Sequence, residues 1–170
     1  MVKKNFLYIR GNPGVGKITV ARVLQKQMGW KLFWFHDLKN AIYNIVQEHR
    51  IPRLMDEVTV PVVRYMLEKG ENIIYVRPSP DLKTVENIRE AVQAYPEYTF
   101  HVVQLTAPYD VLHERVISRE DPYRITNKKD LDAYMGERAM SSIDDEHCVA
   151  TEGKTAEDVA MTIMRIIGLQ

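Results

Sequence analysis

Short apolar runs alternate with stretches of helical periodicity along the chain. Phe6 to Arg10 reads as a first strand, followed by a helix whose Val20, Val23, Leu24 and Met28 recur at helical spacing. Gly29 ends that helix. A second strand is predicted from Lys31 to His36, and Asp37 caps or leads a helix running to about Arg50. Another helix is expected from about Leu54 to Lys69, with Met55, Val58, Val62 and Met66 in register and Pro61 kinking or splitting it. A third strand covers Asn72 to Val76. Ser79-Pro80 then forms the cap and first residue of a helix carrying Leu82, Val85, Ile88 and Val92. A fourth strand spans about Thr99 to Leu105, and a helix from about Tyr109 leads into the segment Arg119 to Asn127. A helix over about Asp130 to Met140 follows, then a last strand from His147 to Ala150. Thr155-x-x-Asp158 resembles a capping box for a final helix with Val159, Ile163 and Ile166 on one face. This alternation predicts stacked β–α units: an α/β fold with a five-stranded, mostly parallel sheet and helices on both faces.

The first strand-to-helix connection carries the chemistry. Gly11-Asn12-Pro13-Gly14-Val15-Gly16-Lys17 matches seven positions of G-x-x-x-x-G-K-[ST] in the required strand–loop–helix context. Glycines let the backbone form a concave nest of N–H groups facing an anion. The helix beginning near Gly16 turns its positive end to the same point, and Lys17 supplies a point charge for the β- and γ-phosphates. A plain Gly/Pro turn would not explain spacing, flanks and position together. The eighth position departs from the motif: Ile18 replaces the Ser or Thr whose hydroxyl ligates Mg²⁺. Thr19 follows, turned about 100° around the helix. Three readings stay open. Mg²⁺ is held by phosphates, water and a carboxylate; or Thr19 takes over as metal ligand through a local shift; or the chain binds nucleotide and catalyses poorly.

With an early P-loop, Phe35-His36-Asp37 closing the second strand, the arginine-bearing run Leu112 to Arg119, and Ala150-Thr151-Glu152-Gly153-Lys154-Thr155 entering the last helix, the chain resembles the compact P-loop kinases of small molecules. Shikimate, gluconate and adenylate kinases and chloramphenicol phosphotransferase-like proteins form that group, and the resemblance covers the whole chain in order. It implies a three-layer P-loop NTPase fold in one domain, residues 1–170, with a small lid at about 119–129. It also implies ATP and Mg²⁺ as the reacting nucleotide and its metal, and a small-molecule hydroxyl as acceptor. By the same resemblance, Gly11 to Thr19 bind nucleotide, Lys17, Asp37 and Arg119 are catalytic, and Arg115, Thr151, Gly153 and Lys154 contact nucleotide. Asp37 and Arg124 would face the acceptor, and Arg77, by its own place at the carboxyl end of the third strand, would face the cleft and hold an anionic or hydroxyl-rich acceptor. Asp37 would orient the acceptor hydroxyl; its structural alternative is the N-cap of a helix starting at Leu38. Arg77 stands where many relatives carry an acid that holds the water around Mg²⁺, and Tyr75 to Pro78 contain none; its structural alternative is an ion pair with a nearby acid. For Arg115, Arg119 and Arg124 the alternative is a solvated helix face paired with Glu114, Glu120 and Asp121.

Composition narrows the picture. Lys+Arg and Asp+Glu both number 23, so the net charge of 0 gives no support for a polyelectrolyte nucleic-acid binder. One cysteine, Cys148, cannot form an intrachain disulfide. The apolar run Phe6 to Ile9 is too short for a secretory signal, and no run is long enough to span a membrane, so the cytoplasm is the expected location. Asn127-Lys128-Lys129-Asp130 matches the guanine-reading N-K-x-D pattern but follows a polar, lid-like segment with no D-x-x-G upstream, and is read as chance. The five histidines lack metal-ligand spacing. Trp30, Phe33, Trp34 and Phe35 are read as core and sheet-edge aromatics. The leading reading is ATP-dependent phosphoryl transfer to a small-molecule hydroxyl. The alternatives are a nucleotide-binding module with degraded catalysis, or a nucleotide or nucleic-acid kinase. The oligomeric state is not encoded in any motif.

Overall fold

The computed structural model describes residues 3–47, 52–78, 82–120, 124–137 and 140–169, with residues 52 and 53 as backbone only. In chain order the elements are β1 (Lys4–Gly11), α1 (Lys17–Met28), β2 (Lys31–Trp34), α2 (Phe35–Val46), α3 (Pro52–Glu68), β3 (Ile73–Val76), α4 (Leu82–Gln93), β4 (Tyr98–Thr106), α5 (Tyr109–Ile117), α6 (Lys128–Glu137), β5 (Glu146–Ala150) and α7 (Ala156–Ile166). The strands form one sheet in the order β2-β3-β1-β4-β5, and every pairing is parallel.

β1 is central because its sequence is apolar on both faces. Leu7 and Ile9 point to one side, where Ile74, Val76, Val103 and Leu105 join Val20, Ala21 and Leu24 of α1 and Val159, Ala160 and Ile163 of α7. Phe6 and Tyr8 point to the other, where Ile73, Tyr75 and Val102 meet Met55, Val63 and Leu67 of α3 and Val85, Ile88 and Val92 of α4. A continuous apolar run is what a strand buried on both faces requires, and the result is three layers, α/β/α. The chain places β3 and β2 on one side of β1 and β4 and β5 on the other, so the order reverses at β1. In open parallel sheets the ligand crevice lies at the carboxyl end of that reversal, where β1 meets Gly11.

Several boundaries depart from the sequence pattern. β2 stops at Trp34, and Phe35-His36-Asp37 forms the first turn of α2 rather than the end of a strand. Asp37 is not the cap, because the N-cap position belongs to Trp34. α3 runs unbroken through Pro61, whose ring faces solvent. Its buried stripe is Met55, Thr59, Val63 and Leu67, one position away from the expected Val58, Val62 and Met66. Thr59 enters that stripe because its hydroxyl donates to the Met55 carbonyl at 2.6 Å, which satisfies it without water. Leu82, expected in the core, is 47% exposed, and Thr84 is buried in its helix instead. α6 begins at Lys128, two residues before the expected start. The capping box at Thr155 and Asp158 is present: Asp158 N–H donates to Thr155 Oγ1 and Thr155 N–H to Asp158 Oδ2, both at 3.1 Å. α2 ends at Val46, short of the expected Arg50, because Gln47 takes the left-handed conformation (φ +57°) and closes the helix by donating its N–H to the Tyr43 carbonyl at 2.8 Å. The Ser79-Pro80 cap and residues 121–123 of the lid segment lie outside the described residues.

Candidate active site

β1 delivers the chain into the loop at Gly11, and two glycines show why side chains are excluded. Gly11 has φ +140°, and a Cβ there would lie 2.4 Å from the Leu105 carbonyl oxygen of β4. Gly14 has φ +89°, and its Cβ would lie 2.8 Å from the Leu112 carbonyl oxygen of α5. The loop is thus clamped between its neighbour strand and α5. α1 opens on Gly16 with no side-chain cap and no acidic residue in its first turn. Its first N–H groups have no partner within the helix and point their partial positive charge at the loop's interior.

Lys17 Nζ folds over this loop and donates to the Gly11 carbonyl at 2.7 Å and the Asn12 carbonyl at 2.9 Å. Burial lowers its pKa to about 7, and the charges of Arg119 and Arg124 push the same way. An ammonium held beside two guanidiniums is stabilised once an anion arrives between them. Positive charge from Lys17, Arg119 and Arg124 therefore converges on the loop.

Beside the loop lies a cavity of about 320 Å³, lined by Gly14, Val15, Gly16, Thr19, Arg115, Ser118, Arg119, Thr151, Lys154 and Thr155, with Val20, Ala156 and Val159 as its apolar part. Arg115 of α5 is fixed across it: Nη1 donates to Thr151 Oγ1 at 2.9 Å and Nη2 to the Thr151 carbonyl at 3.1 Å. Thr151 N–H is itself tied to the Thr106 carbonyl at 2.9 Å, so the turn after β5 is anchored to the end of β4. Gly153 holds that turn with φ +65° but does not line the cavity. The structure brings together eight residues selected from sequence: Gly14, Val15, Gly16, Thr19, Arg115, Arg119, Thr151 and Lys154. Val20, Ser118, Thr155, Ala156 and Val159 line it too: from sequence Val20 and Val159 read as helix core and Thr155 as the cap of the last helix, while nothing marks Ser118 or Ala156 as site residues.

The other side of the loop is built from the ends of β2 and β3. Arg77 N–H donates to the Ile9 carbonyl at 3.2 Å, which fixes the backbone where β3 ends. Its guanidinium pairs with Asp56 of α3 at 2.7 Å and lies over the Phe35 ring, 4.2 Å from the centroid. Burial pushes the adjacent Tyr75 phenol up to about 12, so it stays neutral. Arg124 lies over the Trp34 ring at 4.7 Å. Trp30, Phe33 and Phe35 are core and Trp34 is half-buried at the sheet edge, as expected, and Trp34 and Phe35 each also carry an arginine. Consecutive aromatics at a strand's carboxyl end were the available signal. Asp37 is exposed in the first turn of α2.

The residues present do not make the usual protein half of a Mg²⁺ site. Ile18 offers no oxygen, Thr19 faces the cavity beside Arg115 and Arg119, and β3 is followed by Arg77 rather than an acid. No group of three or more His, Cys, Asp or Glu stands in metal-binding proximity among the described residues. The N-K-x-D match has a local cause: Asp130 N–H donates to Asn127 Oδ1 at 2.9 Å and Asn127 Nδ2 to Asp130 Oδ2 at 2.8 Å, a reciprocal cap on α6. No described helix is long and apolar enough to cross a membrane.

No family model matches the chain. Among curated proteins it is similar to one of Methanosarcina mazei described as "Putative adenylate kinase", with 26% identity over 172 residues, 94% of this chain and 85% of that protein. It superposes on the tunicamycin resistance protein of Deinococcus radiodurans with a TM-score of 0.70 and 19% identity, over 99% of this chain and 98% of that one. Shikimate kinase of Aquifex aeolicus gives 0.65 and 19%, over 95% of each chain. APS kinase of Mycobacterium tuberculosis gives 0.71 and 14%, over 98% and 99%. The chain has the fold of the small P-loop kinases.

Proposed function

We propose that this chain, sharing the fold of the small P-loop kinases, transfers the γ-phosphoryl group of ATP to a hydroxyl of a small molecule. One observation carries the reading: Lys17 is held over an uncapped helix start while Arg119 and Arg124 bear on the same ammonium. A polyphosphate is the ligand that resolves this convergence of positive charge. In this reading residues 1–170 act as one domain, and residues 119–129 act as its lid. Main-chain N–H groups from Gly11 to Thr19 hold the phosphates. The nucleoside takes the cavity between Thr19, Arg115, Thr151 and Lys154, with Gly153 shaping the turn. Asp37 orients the acceptor and takes its hydroxyl proton as the oxygen attacks phosphorus. The bond from the γ-phosphorus to the bridging oxygen breaks, ADP leaves, and Arg119 with Lys17 offsets the charge on the moving phosphoryl group. Arg77, Arg124 and the aromatic edge of Trp34 and Phe35 hold the acceptor. The step asks the chain for no metal ligand.

The test is acceptor-dependent release of ADP across a panel of polyols, hydroxy acids and nucleoside monophosphates, with Mg²⁺ or Mn²⁺ supplied. Activity with one class, lowered about 100-fold or more by Arg119→Ala, is the expected result. Turnover with nucleoside monophosphates alone would favour a second reading, a nucleotide kinase, which the sequence similarity to the Methanosarcina protein supports. ADP binding without turnover for any acceptor would favour a nucleotide-binding module, the reading motivated by Ile18 and Arg77.

A further inference from the structure

We infer that this chain binds nucleoside di- and triphosphates free of metal at least as tightly as their Mg²⁺ complexes, its own cations taking the place of the divalent ion. The inference rests on the nucleotide reading above and extends it to the form of nucleotide recognised.

Mg²⁺ sheds its water reluctantly and is ordinarily held by one or two protein oxygens together with the phosphates. The first oxygen of a P-loop comes from the residue after the lysine, and here that residue is Ile18, half-buried at the start of α1. A carboxylate from the neighbouring strand end is the other common source. β3 is followed instead by Arg77, and the acid beside it, Asp56, is already engaged by that guanidinium at 2.7 Å. Thr19 lines the cavity with Arg115, Arg119 and Thr151, so it stands among cations. A second cation brought to this spot meets the repulsion of Arg115 and Arg119, and neither the Ile18 nor the Arg77 side chain offers it an oxygen.

The charge a metal would supply is present in side chains. Arg119 lines the cavity beside Gly16 and Thr19, and Arg124 is seated on the Trp34 ring at the sheet edge. Both act on the Lys17 ammonium, so both lie within electrostatic reach of whatever Lys17 holds. Together the two guanidiniums carry the same charge as one Mg²⁺. Arg119, on the cavity wall, meets phosphate oxygens bidentately, Arg124 adds its field from the acceptor side, and both attract the fully charged nucleotide more strongly than one already half-neutralised by metal.

Isothermal titration with ADP and a non-hydrolysable ATP analogue, in excess Mg²⁺ and in EDTA, tests this directly. The expected dissociation constants agree within about threefold or favour EDTA. Weakening by about tenfold or more on chelation overturns the inference and leaves the nucleotide reading standing. No binding in either condition overturns both. Two variants isolate the oxygen at position 18. Ile18→Thr restores it and is expected to create a Mg²⁺ preference of about tenfold, whereas Ile18→Val, of the same shape without the hydroxyl, is expected to remain indifferent to metal. A Thr variant as indifferent as the Val variant overturns the part assigned to residue 18.

Discussion

Lys17 concentrates the conflict between stability and binding in one side chain. Its pKa falls from 10.5 in an unfolded chain to about 7 in the folded one, through burial first and then Arg119 and Arg124. Between those values the unfolded chain holds more protons, so this group's contribution to stability rises with pH from about 7 to about 10.5 and is lowest below 7. Lys17→Met is therefore expected to raise the melting temperature of the ligand-free protein, with a larger gain at about pH 6 than at about pH 9, while weakening ADP binding. Thermal scans of both proteins across that range check the sign. A gain independent of pH would mean that packing, not charge, is responsible. Asp37 shows the limit of reading single residues: a capping residue by type, it lies inside the first turn of a helix that starts at Phe35 with Trp34 at the N-cap position.

Among the elements, α3 shows how tertiary packing overrides a local signal. Pro61 removes a helical N–H and crowds the preceding turn, yet the helix continues because Met55, Val63 and Leu67 are buried against the sheet. The missing N–H is a cost of the folded helix, carried on an exposed position. Pro61→Ala is expected to stabilise the protein by about 1–3 kcal/mol, the range set by proline's cost inside a helix, read as a shift in the urea midpoint at constant m-value. A neutral or destabilising result would show that the surrounding packing depends on the proline's geometry. The helix's apolar stripe was misplaced by one position because Val and Met at 58, 62 and 66 compete with the stripe at 55, 59, 63 and 67. Only the polar Thr59, by bonding back to Met55, allows the latter.

At the scale of the molecule, the site is assembled from strand ends that are distant in sequence. The edge strand β5 is tied in by Arg10 of β1, fully buried, whose Nε meets Glu146 Oε1 at 2.5 Å while Nη2 reaches Gln104 Oε1 at 3.1 Å and the Ser141 carbonyl. This cluster holds the strand that leads into Thr151 and Lys154. Removing one member of such a pair strands the other charge in the interior. Glu146→Ala is expected to cost about 3–5 kcal/mol in denaturant unfolding. An effect below about 1 kcal/mol would mean that Gln104 and the Ser141 carbonyl suffice to satisfy Arg10.

Local sequence was enough for the alternation of strands and helices, the glycine loop after β1 and the capping box of α7, because each depends on residues within about one helical turn or strand of one another. It also marked Ile18 as the break in the motif. Tertiary structure alone decided that Arg77 pairs with Asp56 and rests on Phe35, that Arg124 rests on Trp34, and that Arg115 bridges to Thr151. These contacts join residues whose separation in the chain carries no periodic signal, and they form only when a parallel sheet brings its carboxyl ends to one edge.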